Sequence, residues 1–76
     1  MEPEFIDFPY KNFTITAWGE PRSDGKFEPR AEITGFRSGK PYGASFDEMG
    51  GAYGSANEAA RTALGRCMNL VDEDEL

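Results

Sequence analysis

Apolar and polar positions alternate through the first two-thirds of the chain, then change to three- and four-residue spacing towards its end. Asn12–Trp18 (NFTITAW) sets Phe13, Ile15 and Ala17 against Thr14, Thr16 and Trp18, the two-residue period of a strand. Phe27–Thr34 repeats it, with Phe27, Ala31 and Ile33 on one side and Glu28, Arg30, Glu32 and Thr34 on the other. Pro29 places part of that strand where no ladder donor is needed. A third strand is predicted over Tyr42–Glu48, with Tyr42, Ala44 and Phe46 inward. Turn signals at Asp24-Gly25 and Ser38-Gly39 make the three antiparallel.

The period then changes. Ser55 followed three residues later by Glu58 is a capping box, and Ala56, Ala60, Ala63, Leu64, Cys67, Met68 and Val71 share one helical face. The pattern predicts an α+β fold: a three-stranded antiparallel sheet (β-β-β-α) with one C-terminal helix packed on one face. Phe13, Ile15, Ala31, Ile33, Ala44 and Phe46 would form the buried side of the sheet. Residues 10–71 make a single domain on this reading. Residues 1–9 are read as an irregular acidic and aromatic lead-in, with Pro3 and Pro9 discouraging helix and Phe5, Ile6 and Phe8 offering apolar contacts. Residues 72–76 form an acidic tail, expected to fray because its charges sit at the negative end of the helix dipole.

Composition narrows the chemistry. The 76 residues include no histidine and one cysteine, so an internal disulfide and histidine-based catalysis are both excluded. Cys67 falls on the apolar helix face and is read as a small core residue. The net charge of -6 is misleading as a whole-surface property, because half of the 14 acidic residues lie in residues 1–10 and 67–76. Neither stretch contains Lys or Arg, so the body between them is close to neutral. No apolar run reaches membrane-spanning length, and the acidic start does not suit a signal peptide, which points to a cytoplasmic protein.

Four segments carry a resemblance: Tyr10-Lys11-Asn12-Phe13-Thr14-Ile15, Asp24-Gly25-Lys26-Phe27-Glu28-Pro29-Arg30, Glu58-Ala59-Ala60 and Leu70-Val71-Asp72. Across Tyr10–Asp72 the chain resembles an uncharacterised family of short proteobacterial proteins. That family has a strand-strand-strand-helix fold likened to the double-stranded-RNA-binding domain. Asn12 stands where the family has glycine, Asn57 where it has glutamate and Leu70 where it has tryptophan. The resemblance implies the fold and no catalytic residue.

No catalytic, cofactor-binding or metal-binding set is assigned, and no cofactor is expected. Adjacent strand residues Asp47 and Glu48 point to opposite faces, and the acidic tail is read as solvated. Gly50-Gly51-Ala52-Tyr53-Gly54-Ser55 lacks the lysine of a phosphate loop and is read as a tight strand-to-helix turn, with Tyr53 as a hydrophobic staple. Trp18 sits in phase with the polar face, where it is either a contact residue or covered by Phe5 or Phe8; the covered reading is preferred. Phe5, Phe8, Trp18, Arg30, Arg37 and Lys40 form the candidate binding surface.

The leading functional expectation is a small non-enzymatic protein-binding module or regulator, with a protein partner and a monomer or weak homodimer as its state. A nucleic-acid-binding module of the double-stranded-RNA type, using Arg37 and Lys40, is the alternative. It is disfavoured by the near-neutral body and by Glu58 at the helix start. A phage or mobile-element inhibitor mimicking nucleic acid is a further alternative. So is an antitoxin-like partner, because Phe46-Asp47-Glu48-Met49-Gly50-Gly51 is similar to the HicB pattern, although the Pro-Asp-Leu-Pro core of that pattern is missing.

Overall fold

A computed structural model describes residues 5–47 and 49–74. It is an α+β structure in which an antiparallel sheet is followed by one C-terminal helix: β1 (Ile6–Tyr10), β2 (Phe13–Pro21), β3 (Phe27–Arg37), β4 (Lys40–Phe46) and α1 (Ala56–Asp72). The sheet order is β1-β2-β3-β4, so every neighbour in space is a neighbour in sequence. The molecule is elongated, 42 × 22 × 15 Å.

Four strands replace the expected three, because the lead-in is not irregular. Ile6, Phe8 and Tyr10 lie opposite Ala17, Ile15 and Phe13, while Asp7 lies opposite Thr16, whose hydroxyl donates to the Asp7 carboxylate at 2.8 Å. Met1–Glu4, which complete the lead-in, lie outside the described residues.

The prolines show why a strand was hidden there. Phe27 and Tyr53 exchange both backbone hydrogen bonds (2.9 and 2.8 Å), so the Phe27 N–H and C=O point to the β4 side of β3. Alternation then points Pro29 to the same side, beyond Phe46, the last β4 residue paired with β3. The same alternation, carried across both ladders, turns Pro9 of β1 and Pro41 of β4 towards the two free sheet edges. These three prolines therefore withhold a donor where no neighbouring strand asks for one, and the fourth strand proline, Pro21, ends β2 beyond its last residue paired with β1.

The turns follow from local chemistry. Ser38 and Gly39 adopt positive φ (54° and 77°), which suits the two-residue connection between Arg37 and Lys40. Lys11 (φ 56°) begins the corresponding turn between β1 and β2. In the longer β2–β3 loop, the Asp24 carboxylate accepts from the Lys26 N–H at 3.0 Å. Gly35 occupies a special place between Phe13 and Tyr42 in the register. Lacking a side chain, it lets those two rings meet edge-on with centroids 5.8 Å apart.

Ser55 caps α1, its Oγ accepting from the Glu58 N–H at 3.1 Å. Ile15, Ala17, Ala31, Ile33, Ala63 and Cys67 form the fully buried centre, with Ala59 and Ala60 also buried on α1. The expected core is thus corrected in size. Phe13 and Phe46 pack only against its rim, Ala44 is half-buried, and no aromatic residue is fully buried. Small residues on both sides bring helix and sheet so close that large rings are left to the periphery.

The expected fraying at the helix end is also overturned for Asp72. Its carboxylate accepts from the Tyr10 hydroxyl at 2.7 Å and from Lys11 Nζ at 2.6 Å, tying α1 to the β1–β2 turn. Asp74 lies 3.6 Å from Arg37, whereas Glu75 and Leu76 lie outside the described residues.

Candidate functional site

The six candidate residues do not converge on one surface. Phe5, Trp18 and Arg30 come together on the open face of the sheet. Trp18 lies opposite Arg30 across β2 and β3, and the Phe5 ring covers the indole at 5.1 Å with a 53° tilt. The indole N–H donates to Glu20 at 2.9 Å, so Trp18 is half-buried and its polar atom is occupied. Covering by the lead-in, the preferred reading, describes this arrangement.

Arg30 belongs to a charged chain at the same end. Its Nη2 is 3.5 Å from Glu28, and Arg22 reaches Glu28 and Asp24, each at 3.3 Å. Arg30 Nε is buried without a hydrogen-bond partner among the described residues. Phe8 is on the other face, stacked on Tyr10 at 6.1 Å. Arg37 and Lys40 flank the β3–β4 turn at the opposite end of the sheet. Exposed Phe36 beside them, at 61%, carried no sequence signal beyond an aromatic residue at a strand end.

Cys67 is fully buried, and burial pushes its thiol up to about 11. At neutral pH it is a protonated core side chain, not a nucleophile. Among the described residues, no three Asp, Glu or Cys side chains are grouped as a metal centre would require. The Asp47–Glu48 pair was expected to diverge; Glu48 lies outside the described residues. The glycine-rich turn does hold positive φ at Gly50 and Gly51 (79° and 92°). Tyr53 serves there through its backbone, paired with Phe27.

A different feature emerges from packing. A helix with its side chains is about 10 Å across and strands are about 4.8 Å apart, so one helix clothes about two strands. Here α1 lies over β2 and β3, touches β1, and makes no close backbone approach to β4. The inner side of β4, carrying Tyr42, Ala44 and Phe46, is consequently only half-covered. Between it and α1 runs a groove of about 560 Å3, with Phe46, Met49 and Leu70 as apolar walls and Ser45, Asp47 and Asn69 at its polar margin. Arg66 forms its end, donating to the backbone carbonyls of Met49 and Gly50, the latter at 3.3 Å.

Sequence reasoning set Phe46 inward and did not bring it together with Met49 and Leu70 in a groove. The usable signal was Leu70, an apolar residue outside the face shared by Leu64, Met68 and Val71. No protein-family model, curated protein or solved structure matches the chain. The described residues contain no helix long and apolar enough to cross a membrane.

Proposed function

We propose that the chain is a small non-enzymatic binding module that works by contacting another protein through the β4–α1 side. The observation that carries this reading is the apolar groove lying directly beside an open strand edge. A docked chain would find backbone partners on β4 and a place for its side chains against Phe46, Met49 and Leu70, the combination used in strand addition. The buried, protonated Cys67 supports the non-enzymatic part of the reading.

The test is parallel affinity capture with the immobilised full chain, Leu70→Asp and Phe36→Asp. A charge at Leu70 should abolish partner retention with unchanged circular dichroism, while Phe36→Asp, on the open face, should retain it. Equal capture by Leu70→Asp would overturn the proposal.

A further inference from the structure

We infer that the protein partner taken by this edge is a second copy of the chain, pairing β4 with β4 antiparallel about a two-fold axis at Ala44. The inference rests on the β4–α1 side being a contact surface, and it names the occupant.

The two free edges of the sheet are not equivalent. Alternation turns the backbone groups of Asp7 and Pro9 outward from β1, and proline leaves Asp7 as the one complete donor–acceptor pair within that strand. The inner side of β1 is also engaged, since Tyr10 is held by Asp72 and Phe8 stacks on Tyr10. On β4, Pro41, Gly43 and Ser45 face outward, so Gly43 and Ser45 both offer a free N–H and C=O. The edge with more free backbone is also the edge that the backbone of α1 does not approach, where Tyr42, Ala44 and Phe46 stay half-buried.

The β4 sequence is complementary to itself in one register. With the axis at Ala44, Gly43 of each copy faces Ser45 of the other, and each such pair exchanges both backbone hydrogen bonds. On the helix side, Tyr42 then stands opposite the second copy's Phe46, an aromatic cross-strand pair. Moving the axis to Gly43 would set Lys40 against Phe46 and Tyr42 against Ala44, which loses that pair. Lys40 and Asp47 bracket a run without charge, so antiparallel pairing brings Lys40 of one copy to the same end of the seam as the second copy's Asp47.

The resulting sheet is continuous, and its two helices flank a central strip containing Tyr42, Phe46 and Leu70 from both copies. That strip fills the groove. A seam of one strand pair is smaller than a standard interface of about 1,600 Å2, so association should be weak, with Kd on the order of micromolar.

Sedimentation velocity of the full chain, from about 5 to about 500 μM, should show a monomer–dimer shift. Ser45→Pro removes only an outward-facing N–H and should remain monomeric with the parent's circular dichroism. Because proline could disturb the strand, a second variant reads the same seam. Ala44 would occupy a non-hydrogen-bonded pair at the axis, with Cα atoms about 4.5 Å apart, so Ala44→Cys should form a disulfide dimer on mild oxidation. Phe36→Cys should not. A chain monomeric at every concentration, with no faster cross-linking of Ala44→Cys than of Phe36→Cys, would overturn the inference. If capture of another protein still depended on Leu70 in that case, the contact surface would stand and only its occupant would be wrong. If capture ignored Leu70, the surface itself would fall.

Discussion

Gly19 shows how far a single side chain controls this packing. A Cβ built there would meet the Ala56 carbonyl oxygen at 2.7 Å and the Ala56 Cα at 2.9 Å, both backbone atoms that cannot rotate away. The start of α1 therefore rests directly on β2, and Gly19→Ala must lift the helix or bend the strand. Overpacking of this kind costs about 1–3 kcal/mol, and in a domain this small each kcal/mol lowers the melting temperature by about 4–8 °C. Gly65 is the control, because a Cβ there meets nothing within 4 Å on an exposed part of the same helix. Gly65→Ala should raise stability by up to about 1 kcal/mol by removing backbone freedom from the unfolded chain. Thermal unfolding of both variants checks the contrast. Equal effects would mean that α1 does not sit on Gly19.

At the scale of elements, the end of α1 is held by groups from the β1–β2 turn. Hydrogen bonds from Lys11 and then Tyr10 lower the Asp72 carboxyl below its ordinary value, while the bond to Asp72 raises both Lys11 and Tyr10. A lowered carboxylate contributes stability above its unfolded value, about 4, and loses it as pH falls through the folded value. The raised Lys11 and Tyr10 contribute below their unfolded values, about 10, and lose their share as pH rises through the folded ones. The latch should thus be constant between those limits and weaken outside them. All three groups are solvent-accessible, so Asp72→Asn should lower the melting temperature by a few degrees at most at pH 7. That gap should close below about pH 4. A gap unchanged at low pH would show that the charge of Asp72 plays no part. These contacts also explain which elements could be read from the sequence. Strands β2 and β3, both turns and the Ser55 cap depend on neighbours a few residues apart, and their signals were plain. The β1 strand was hidden because Pro9 breaks a central strand but not an outward-facing edge position. Helix-dipole reasoning missed the Asp72 latch because its partners, Tyr10 and Lys11, are about 60 residues away. The groove escaped because it arises from a mismatch of widths between one helix and four strands, and no local window contains that ratio.

For the molecule as a whole, the placement of charge favours the proposed protein partner over nucleic acid. The basic groups best placed to meet phosphates are Lys11, Arg37 and Lys40, at the turn end of the sheet. Two of these lie against acids from the end of α1: Lys11 is 2.6 Å from Asp72, and Arg37 is 3.6 Å from Asp74. Asp72 and Asp74 therefore offset basic charge at this end of the sheet. On the open sheet face, Asp7, Glu20, Glu28 and Glu32 outnumber Arg30, so that face would repel a phosphate backbone. Non-specific affinity comes chiefly from counterions released by basic groups and is strongest at low salt. The expected result is no retention of a labelled RNA or DNA duplex by the full chain, even at about 50 mM salt. An Asp72→Asn variant should then bind weakly at low salt and release the duplex as salt rises, since it removes the carboxylate held against Lys11. Salt-sensitive duplex binding by the parent chain would reverse this electrostatic argument and move the functional assignment to the turn end of the sheet. Absence of binding by both proteins would show instead that removing the acid beside Lys11 does not create a phosphate-binding surface, a result in keeping with the proposed contact at the β4 edge.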